Sequence, residues 1–493
     1  MIQICDRAYH KNTDAYTMSE IGIPGIVLME RAAYELAQEV PVSKKGRVLA
    51  VCGSGNNGGD GIACARILHQ RGYSCDVLLL RASHELTALT KQQFEIAKKN
   101  GVTVYETDSD VFPGFAAYTV IIDAIFGIGL TREIEEPYQS VIEAVNASEA
   151  YVVAADVPSG IDTDTGAVLG SAVRADMTVS FGYGKPGLYL YPGAEYAGRV
   201  KVKEIGFVNP GNAGYHMFSY DGLTELPLVS RRSDSHKGSF GKVLIIAGFG
   251  EMSGACCMSA EAAYRSGAGL VRVFTSEDAK RALQARVPEL MVSSCEKENW
   301  EDELTVQLQW ADVIAIGPGL GTDEPARRAL ELVLSVKNKK VVLDADAINL
   351  LNGDMKRIPS GAVLTPHPVE LSRLLKLPVT AIKKDRIGVL KQLTREDIVL
   401  VCKDARTIIA QGKRFCINRN GNSGMATGGS GDVLTGITAA LLASGMEAFD
   451  AACAAVWIHA EAGDRAANRL SERSMLATDI ISMLHDIFQE IEK

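Results

Sequence analysis

Residues 47–61, RVLAVCGSGNNGGDG, decide the fold, because a short apolar strand runs there into a glycine-rich loop. Glycine lets the backbone approach a bound phosphate closely, and a following helix points free N–H groups at the anion. A second stretch of this kind, residues 424–443, reads GMATGGSGDVLTGITAALLA. Each loop also carries an aspartate, Asp60 in the first and Asp432 in the second. Two such loops far apart in one chain predict two nucleotide-handling domains.

Apolar strand patterns alternate with helical patterns around both loops, which is typical of parallel α/β sheets. The strands predicted in the first half are 47–52, 75–80, 119–123, 151–156 and 177–181, with a helix over 61–71. Those predicted in the second half are 242–247, 271–275, 313–317, 341–344, 362–365, 398–403 and 407–411, with helices over 254–267 and from 432 to 492. Turn residues at 209–211 and 221–222 indicate a boundary near residue 218. The predicted α/β domains are 1–218 and 225–491.

Composition narrows the class of protein. The 493 residues are 47% hydrophobic and 23% charged, with a net charge of −9, so no basic surface for nucleic acid is expected. No apolar run is long enough to span a membrane, and residues 1–11 lack the order of a signal peptide. The ten cysteines are scattered without a Cys-x-x-Cys pair, as in reduced intracellular proteins. We therefore expect a cytoplasmic globular protein.

The first loop only partly matches a dinucleotide-binding fingerprint. Gly53, Gly55 and Gly58 have the required spacing, but Arg81 stands where an acid would hold a ribose. Asn56, Asn57 and Asp60 instead offer oxygens that suit a hard cation or ribose hydroxyls. The alternative is a tight turn with helix-capping side chains.

Two further strands of the first half end in polar residues. Asp123 closes one apolar run, and Asp156 followed by Ser159 closes another. Ligands of doubly wound sheets bind outside the carboxyl ends of the strands, so these side chains are expected at one site. A buried carboxylate such as Asp156 is expected to have a raised pKa. Lys185 is predicted either to pair with an acid or phosphate or to be an ordinary turn lysine.

The runs 56–60 (NNGGD), 123–127 (DAIFG) and 156–160 (DVPSG) together resemble the epimerase domain of NAD(P)H-hydrate repair enzymes. That family interconverts the R and S epimers at C6 of hydrated nicotinamide cofactors. The resemblance implies a Rossmann-like fold, K⁺ held by Asn57, Asp123 and Ser159, and Asp156 as the catalytic proton-transfer group. It implies that the substrate is bound by Asn56, Asn57, Gly58, Gly59, Asp60, Gly127, Ile128, Gly129, Leu130, Thr131, Arg132, Glu133 and Asp156.

The second loop is typical of phosphoryl transfer. Backbone N–H groups of residues 429–431 can form an anion site where the helix begins. Asp432 would repel a phosphate, so we interpret it as a general base that takes the proton of an attacking hydroxyl. The alternative is a plain N-cap on a glycine-rich connection. His367 lies between two prolines, which predicts a rigid loop that contacts a ligand.

Residues 235–238 (SHKG), 266–271 (SGAGLV) and 420–432 resemble the ADP/ATP-dependent NAD(P)H-hydrate dehydratase domain, which has a ribokinase-like fold. The resemblance implies that ADP or ATP with Mg²⁺ phosphorylates the C6 hydroxyl of the S hydrate and that phosphate then leaves. It makes Asp432 catalytic. The implied substrate-binding residues are Ala255, Gly319, Gly321, His367 and Asp432. The implied nucleotide-binding residues are Lys403, Asp404, Ala405, Arg406, Thr407, Asn422, Gly424, Met425, Thr427, Gly428, Gly429, Ser430 and Gly431.

Together these motifs predict metabolite repair by an isomerase joined to a lyase, acting on NADHX and NADPHX in a homo-oligomer. One alternative is a ribokinase-type small-molecule kinase with an accessory N-terminal domain, which leaves Asp60, Asp123 and Asp156 unexplained. Another is a non-enzymatic nucleotide sensor, which would not need Asp432. Val369 and Asp404 depart from the family, which has glycine at both places. Val369 is expected to narrow the substrate loop, and Asp404 puts a negative charge near the expected phosphates.

Overall fold

The computed structural model of the protein divides into two compact units, one formed by Ile2–His216 and one that begins at Met217. The structure describes residues 1–41, 43, 46–106, 112–211, 214–250, 252–296 and 298–492. Each unit contains one sheet with helices packed against it. The division lies close to the predicted boundary, while the functional limits 1–218 and 225–491 stay predictions.

The first unit alternates strands and helices after two N-terminal helices. Its strands are β1 (Ile2–Ile4), β2 (Arg47–Cys52), β3 (Ser74–Leu79), β4 (Thr103–Glu106), β5 (Val120–Ala124), β6 (Tyr151–Ala155), β7 (Met177–Phe181) and β8 (Arg199–Lys203). Its helices are α1 (Arg7–Ser19), α2 (Gly25–Glu39), α3 (Asn56–Gln70), α4 (Ala88–Lys99), α5 (Tyr138–Asn146) and α6 (Gly193–Tyr196).

The sheet of the first unit has the strand order β4-β3-β2-β5-β6-β7-β8, and all its pairs are parallel. Successive residues of a strand face opposite sides, and β2 follows this rule. Val48 and Ala50 join the core cluster that contains residues of α2, α3 and α4, whereas Leu49 and Val51 join the cluster that contains residues of α5. Chain order reverses between β2 and β5, which is where doubly wound sheets bind their ligands.

The second unit begins with a short strand and ends with three long helices. Its strands are β9 (His216–Ser219), β10 (Lys242–Ile246), β11 (Leu270–Thr275), β12 (Met291–Ser294), β13 (Val313–Ile316), β14 (Lys340–Leu343), β15 (Val363–Leu364), β16 (Val399–Cys402), β17 (Ile408–Gln411) and β18 (Arg414–Ile417). Its helices are α7 (Ser253–Arg265), α8 (Glu277–Arg286), α9 (Trp300–Trp310), α10 (Glu324–Ser335), α11 (Ala345–Leu350), α12 (Pro368–Leu375), α13 (Val379–Lys384), α14 (Arg386–Leu393), α15 (Ser430–Ala443), α16 (Ala448–Arg469) and α17 (Ala477–Ile491).

The sheet of the second unit runs β9-β18-β17-β16-β15-β14-β13-β10-β11-β12. The pairs from β12 to β16 are parallel, and β17 pairs antiparallel with both β16 and β18. Helices α7, α15 and α16 contribute small and apolar side chains to the core beside β10. The predicted mixed α/β class with parallel sheets is confirmed in both units.

Two predicted helix starts are wrong for a common reason. Helix α3 begins at Asn56 rather than residue 61, and α15 begins at Ser430 rather than residue 432 or later. Glycines inside the first turns made these segments look like loops. In α3 they are required by packing, because a Cβ on Gly58 would overlap the carbonyl oxygen of Gly53. The predicted continuous helical region after 432 is in fact three helices separated by turns.

Candidate active sites

The first unit contains a cavity of about 690 Å³ at the carboxyl ends of β2, β5, β6 and β7. The loop after β2, the loop after β5 and Asp156 after β6 border it, as the sequence predicted. Helix α1 and the start of α2 form a further wall that the sequence did not predict. The lining residues from the strand ends are Ser54, Gly55, Asn56, Asn57, Asp60, Ile125, Phe126, Gly127, Ile128, Gly129, Leu130, Thr131, Arg132, Asp156 and Phe181.

Most of the predicted substrate residues of this unit therefore share one cavity. Gly58 and Gly59 are buried in α3 and do not line the cavity. A Cβ added to Gly59 would overlap the side chain of Met29. Glu133 is exposed and lies outside the lining. Ligand contacts by these three residues stay predictions. Asn56, the first residue of α3, accepts a hydrogen bond from Thr87 Oγ1 at 2.9 Å, which orients the side-chain amide of Asn56.

Asp156 is held by Lys185, whose side chain is fully buried. The ammonium donates to Asp156 Oδ1, to Ser180 Oγ at 2.9 Å and to the Phe181 carbonyl at 2.8 Å. Burial alone would raise the pKa of Asp156, but the adjacent ammonium outweighs it and holds that pKa below its ordinary value. The predicted rise in the pKa of Asp156 is therefore wrong, and Lys185 is a partner of an acid. Asp156 also has φ of 69°, a left-handed conformation that costs energy outside glycine.

Asp60 has the opposite electrostatic environment. It borders the cavity from the first turns of α3, and the charges that act on it are the carboxylates of Asp156 and Asp14. Enclosure within the protein and these two negative neighbours raise the pKa of Asp60 well above its ordinary value. The cavity thus combines one carboxyl whose pKa lies below its ordinary value, Asp156, with one whose pKa lies well above it, Asp60.

Oxygen atoms cluster beside the cavity at the ends of β5 and β6. Ser159 Oγ donates to Asp123 Oδ1 at 2.6 Å and lies 3.2 Å from the Phe126 carbonyl oxygen. Burial raises the pKa of Asp123 to about 6, although hydrogen bonds from Ser159 favour its ionised form. The buried Nδ2 of Asn57 has no hydrogen-bond partner among the described residues. That nitrogen is a donor and calls for an acceptor, whereas the oxygens of Asp123, Ser159 and Phe126 are of the kind that a hard cation prefers. A cation there would offset the buried charge of Asp123, so the oxygen cluster fits the expected K⁺.

Helix α1 supplies the residues that sequence reasoning missed. His10, Lys11, Asp14 and Met18 line the cavity, and spacings of four residues place His10, Asp14 and Met18 on one helix face. Asp6 caps the helix by accepting from the Tyr9 N–H at 2.9 Å. The cap and the four-residue spacing were the sequence signals that could have predicted this helix. The hydrophobic pattern did not reveal it, because its buried side chains are polar.

A buried ion pair organises the site of the second unit. Asp344, at the end of β14, accepts from Lys403 Nζ at 2.8 Å and from Thr435 Oγ1 at 2.7 Å. Burial would raise the pKa of Asp344, but Lys403 and these hydrogen bonds hold it below its ordinary value. The carboxylates of Asp344 and Glu370 keep the pKa of Lys403 above its ordinary value despite burial. The permanent positive charge of Lys403 therefore lies beside the end of β14 and helix α15.

Asp432 lies in the first turn of α15 next to this pair. Burial and the negative charge of Asp344 raise its pKa to about 7, against the opposing effect of Lys403. Gly429 precedes the helix with φ of 93°, and a Cβ on Gly431 would lie 3.3 Å from Lys403 Nζ. The N-terminus of α15, Lys403 and Asp432 therefore border the same space, as expected of a phosphoryl-transfer site.

The predicted substrate residues of this unit come from neighbouring strand ends. Gly319 packs against Ala255. A Cβ added to Gly319 would lie 3.1 Å from the Cβ of Ala255. Gly321 donates its N–H to Asp346 Oδ2 at 2.8 Å. His367 caps α12, where its Nδ1 accepts from the Val369 N–H at 3.1 Å, and the charge of Lys403 acts on its ring. Val369 is exposed in the first turn of α12, so no narrowing of the site by its side chain is seen.

The two predicted nucleotide segments are fixed by acids of their own unit. Asn422 donates to Asp464 Oδ1 at 2.8 Å and accepts from the Gly424 N–H at 3.0 Å, which orders the start of the loop. Gly428 has no atom within 4 Å of an added Cβ among the described residues. Asp404 lies 3.7 Å from Arg386 Nη1, so its charge, which departs from the family pattern, is partly balanced. Residues 405–407 form the turn that follows.

Two α/β units, each with paired carboxyls at the carboxyl edge of its sheet, are those of an enzyme with two active sites. A family model described as NAD(P)H-hydrate dehydratase matches residues 243–486, and one described as YjeF-related protein N-terminus matches residues 25–187. A bifunctional NAD(P)H-hydrate repair enzyme of Coxiella burnetii is 38% identical over 461 residues, covering 92% of this chain and 91% of the relative.

The corresponding enzyme of Escherichia coli is 39% identical, covering 89% of this chain and 84% of the relative. A solved ribokinase-like superfamily protein of Enterococcus faecalis is 34% identical, with a TM-score of 0.51, and covers 58% of this chain and 100% of its own. The chain belongs to the family of bifunctional NAD(P)H-hydrate repair enzymes.

Family membership confirms the predicted fold class and the predicted repair of hydrated nicotinamide cofactors by epimerase and dehydratase activities. It removes the support for a simple kinase with an accessory domain and for a sensor without catalysis. Among the described residues, no helix is both long and apolar enough to cross a membrane.

Proposed function

We propose that the first unit epimerises NADHX and NADPHX at C6 and that the second unit dehydrates the S epimer with ADP or ATP as phosphoryl donor. The observation that carries this assignment is Asp432, a carboxyl with a pKa of about 7 at the start of α15 and beside Lys403. Such a group can accept a proton at neutral pH. The separate acid-lined cavity of the first unit supports the epimerase.

In the second unit, Asp432 takes the proton of the C6 hydroxyl while the oxygen of that hydroxyl attacks the terminal phosphorus of the nucleotide. The bond from that phosphorus to the bridging oxygen breaks, and the nucleotide leaves with one phosphate fewer. The C6–O bond then breaks, inorganic phosphate departs with the bonding electrons, and loss of a ring proton restores the dihydronicotinamide. Lys403 and the N–H groups of residues 429–431 would stabilise the negative charge on the transferred group.

The nucleotide would occupy the segments 403–407 and 422–431, with His367, Gly319, Gly321 and Ala255 on the hydrate. The open surroundings of Gly428 and the proximity of Gly431 to Lys403 support this placement, because phosphates need close approach and a positive charge. Mg²⁺ would accompany the nucleotide and screen the charge of its phosphates.

In the first unit, the opposed environments of Asp60 and Asp156 suit a reaction that needs both a proton donor and a proton acceptor. Asp60 protonates the C6 hydroxyl, which leaves as water while the lone pair of the ring nitrogen forms a C=N bond. Water then adds to the other face of C6 and gives its proton to Asp156. Return of that proton to Asp60 completes the cycle. The buried Lys185 keeps Asp156 ionised and ready to accept.

K⁺ held by Asp123, Ser159 and Asn57 would supply the positive charge that fixes the loop after β5 next to the hydrate. The oxygen cluster at Asp123 and Ser159 supports this proposal. We keep a cytoplasmic location and a homo-oligomeric assembly as predictions.

The test is the full chain with purified NADHX epimers, Mg²⁺, K⁺ and ADP or ATP, followed by the absorbance of restored NADH. Asp432→Asn should lower dehydration of the S epimer at least about 100-fold, the lower range of general-base contributions, while R-to-S conversion measured by chromatography continues. Asp302→Asn, at an exposed position of helix α9, is the matched control. Failure of the wild-type chain to dehydrate a verified S epimer would contradict the proposal.

A further inference from the structure

Helix α1 lies outside the residues that the two family models match, 25–187 and 243–486, yet it closes one side of the epimerase cavity. His10 is its most enclosed lining residue, with 5% of its surface exposed. Its Nδ1 is buried and has no hydrogen-bond partner among the described residues. A buried polar atom without a partner is costly, and such atoms in proteins are usually explained by a ligand, water or ion.

The ring of His10 is firmly oriented by aromatic neighbours. Its centroid is 5.1 Å from that of Phe207 and 6.2 Å from that of Tyr183, both in edge-on geometry. Phe207 also lines the cavity. The imidazole is thus held by aromatic packing at the wall of the cavity.

The charge around His10 limits what it can bind. Burial, together with the positive charge of Lys185, lowers the pKa of His10 to about 3, so the ring is neutral and offers one donor and one acceptor. Asp14 and Asp156 line the same cavity and would repel a diphosphate. A neutral group that both donates and accepts, such as a hydroxyl or a carboxamide, matches this environment.

We propose that His10 is a substrate-binding residue of the epimerase site, which hydrogen-bonds the hydroxyl or carboxamide of the hydrated nicotinamide ring and thereby holds C6 near Asp156 and Asp60. The inference rests on the proposed epimerase function of this unit. In this arrangement α1 contacts the nicotinamide end of the hydrate and contributes to substrate specificity. The loop after β5 would contact the rest of the hydrate.

The experiment measures R-to-S epimerisation by the full chain as His10→Phe and His10→Gln. Phenylalanine preserves the packing against Phe207 and Tyr183 but removes both ring nitrogens, whereas glutamine keeps a donor and an acceptor. His10→Phe should lower kcat/KM at least tenfold, largely through KM, and His10→Gln should recover part of the loss. Dehydration of the S epimer by the same samples should not change. His84→Phe, an exposed histidine of the same unit, is the matched control.

A His10→Phe protein within twofold of the wild-type kcat/KM would overturn the inference. So would equal losses in both variants accompanied by a lower Tm, because that pattern belongs to a packing role. A wild-type chain that does not epimerise the R form would instead refute the proposed function itself, and the two failures are therefore distinguishable.

Discussion

Replacement of Lys185 by methionine tests the buried ion pair of the first unit most directly. The ammonium is fully buried and makes hydrogen bonds to Asp156, Ser180 and Phe181, all of which the variant loses. Methionine fills a similar volume, so the cost is mainly electrostatic. Breaking a buried pair by removing one partner costs about 3–5 kcal/mol, because the other charge stays buried without compensation. We expect a loss of this size at neutral pH.

The loss should depend on pH in a defined direction. In the wild type the folded-state pKa of Asp156 is lowered, so its contribution to stability is present above the unfolded pKa and disappears as pH falls through the folded value. Without Lys185, burial is opposed mainly by the hydrogen bond from the Phe181 N–H at 3.1 Å, so the folded-state pKa rises. The destabilisation should therefore be smaller at about pH 4, closer to the wild-type folded pKa, than at about pH 8, where the buried carboxylate of the variant is ionised without its partner.

The chain contains its own internal reference for this measurement. All three tryptophans, at positions 300, 310 and 457, belong to the second unit, so their fluorescence during urea unfolding should not change in the variant. Far-UV circular dichroism then reports the additional loss in the first unit. Lys203→Met is the matched control, since its pair with Glu39 at 2.7 Å is partly exposed and should contribute about 1 kcal/mol or less. A pH-independent loss, or one no larger than that of Lys203→Met, would refute the reasoning.

Three other predictions follow from the sites. Dehydration of the S epimer should increase as pH rises through about 7, because Asp432 accepts a proton only when ionised; a flat profile between about pH 6 and 8 would contradict its role. Gly53→Ala should destabilise the first unit by about 1–3 kcal/mol in urea unfolding, since a Cβ would overlap the backbone of Ile125, whereas Gly55→Ala meets no such atom. Exchange of K⁺ for a large organic cation, or Ser159→Ala, should slow epimerisation and leave dehydration unchanged; an equal effect on both activities would contradict the proposed K⁺ site.

The strands were predictable because they are buried on both faces. Strands such as β2 and β10 are short runs of apolar residues, and burial on both sides of a parallel sheet requires such runs. The predicted bounds of β2 and β7 agree with the structure at every residue. Weaker patterns failed where packing against neighbours, and not the local sequence, makes the strand. Strand β9 and the antiparallel strand β18 belong to this group.

The wall formed by α1 could not be read from hydrophobic periodicity. Its buried residues are His10, Thr13 and Thr17, so the face that packs inward carries polar side chains. The same limit applied to Lys185, which the sequence left equally open to a turn position or an acid. Its partner lies 29 positions earlier in the chain, and only the fold brings the two together. The Lys185 ammonium, which the sequence alone does not place beside Asp156, then reverses the expected direction of the pKa of Asp156.

The two glycine loops solve one electrostatic problem in the same way, although their folds differ. In each unit a buried lysine holds one strand-end carboxylate, Lys185 with Asp156 and Lys403 with Asp344, and keeps its pKa low. The second carboxyl, Asp60 or Asp432, lies on the helix after the glycine loop, and its pKa rises because it is desolvated and, to a smaller extent, because the first carboxylate repels its charge. A single buried cation thus separates two acids into an ionised group and a group that exchanges protons. In the proposed mechanisms, epimerisation and phosphoryl transfer both need such a group, which would account for an aspartate in each glycine loop.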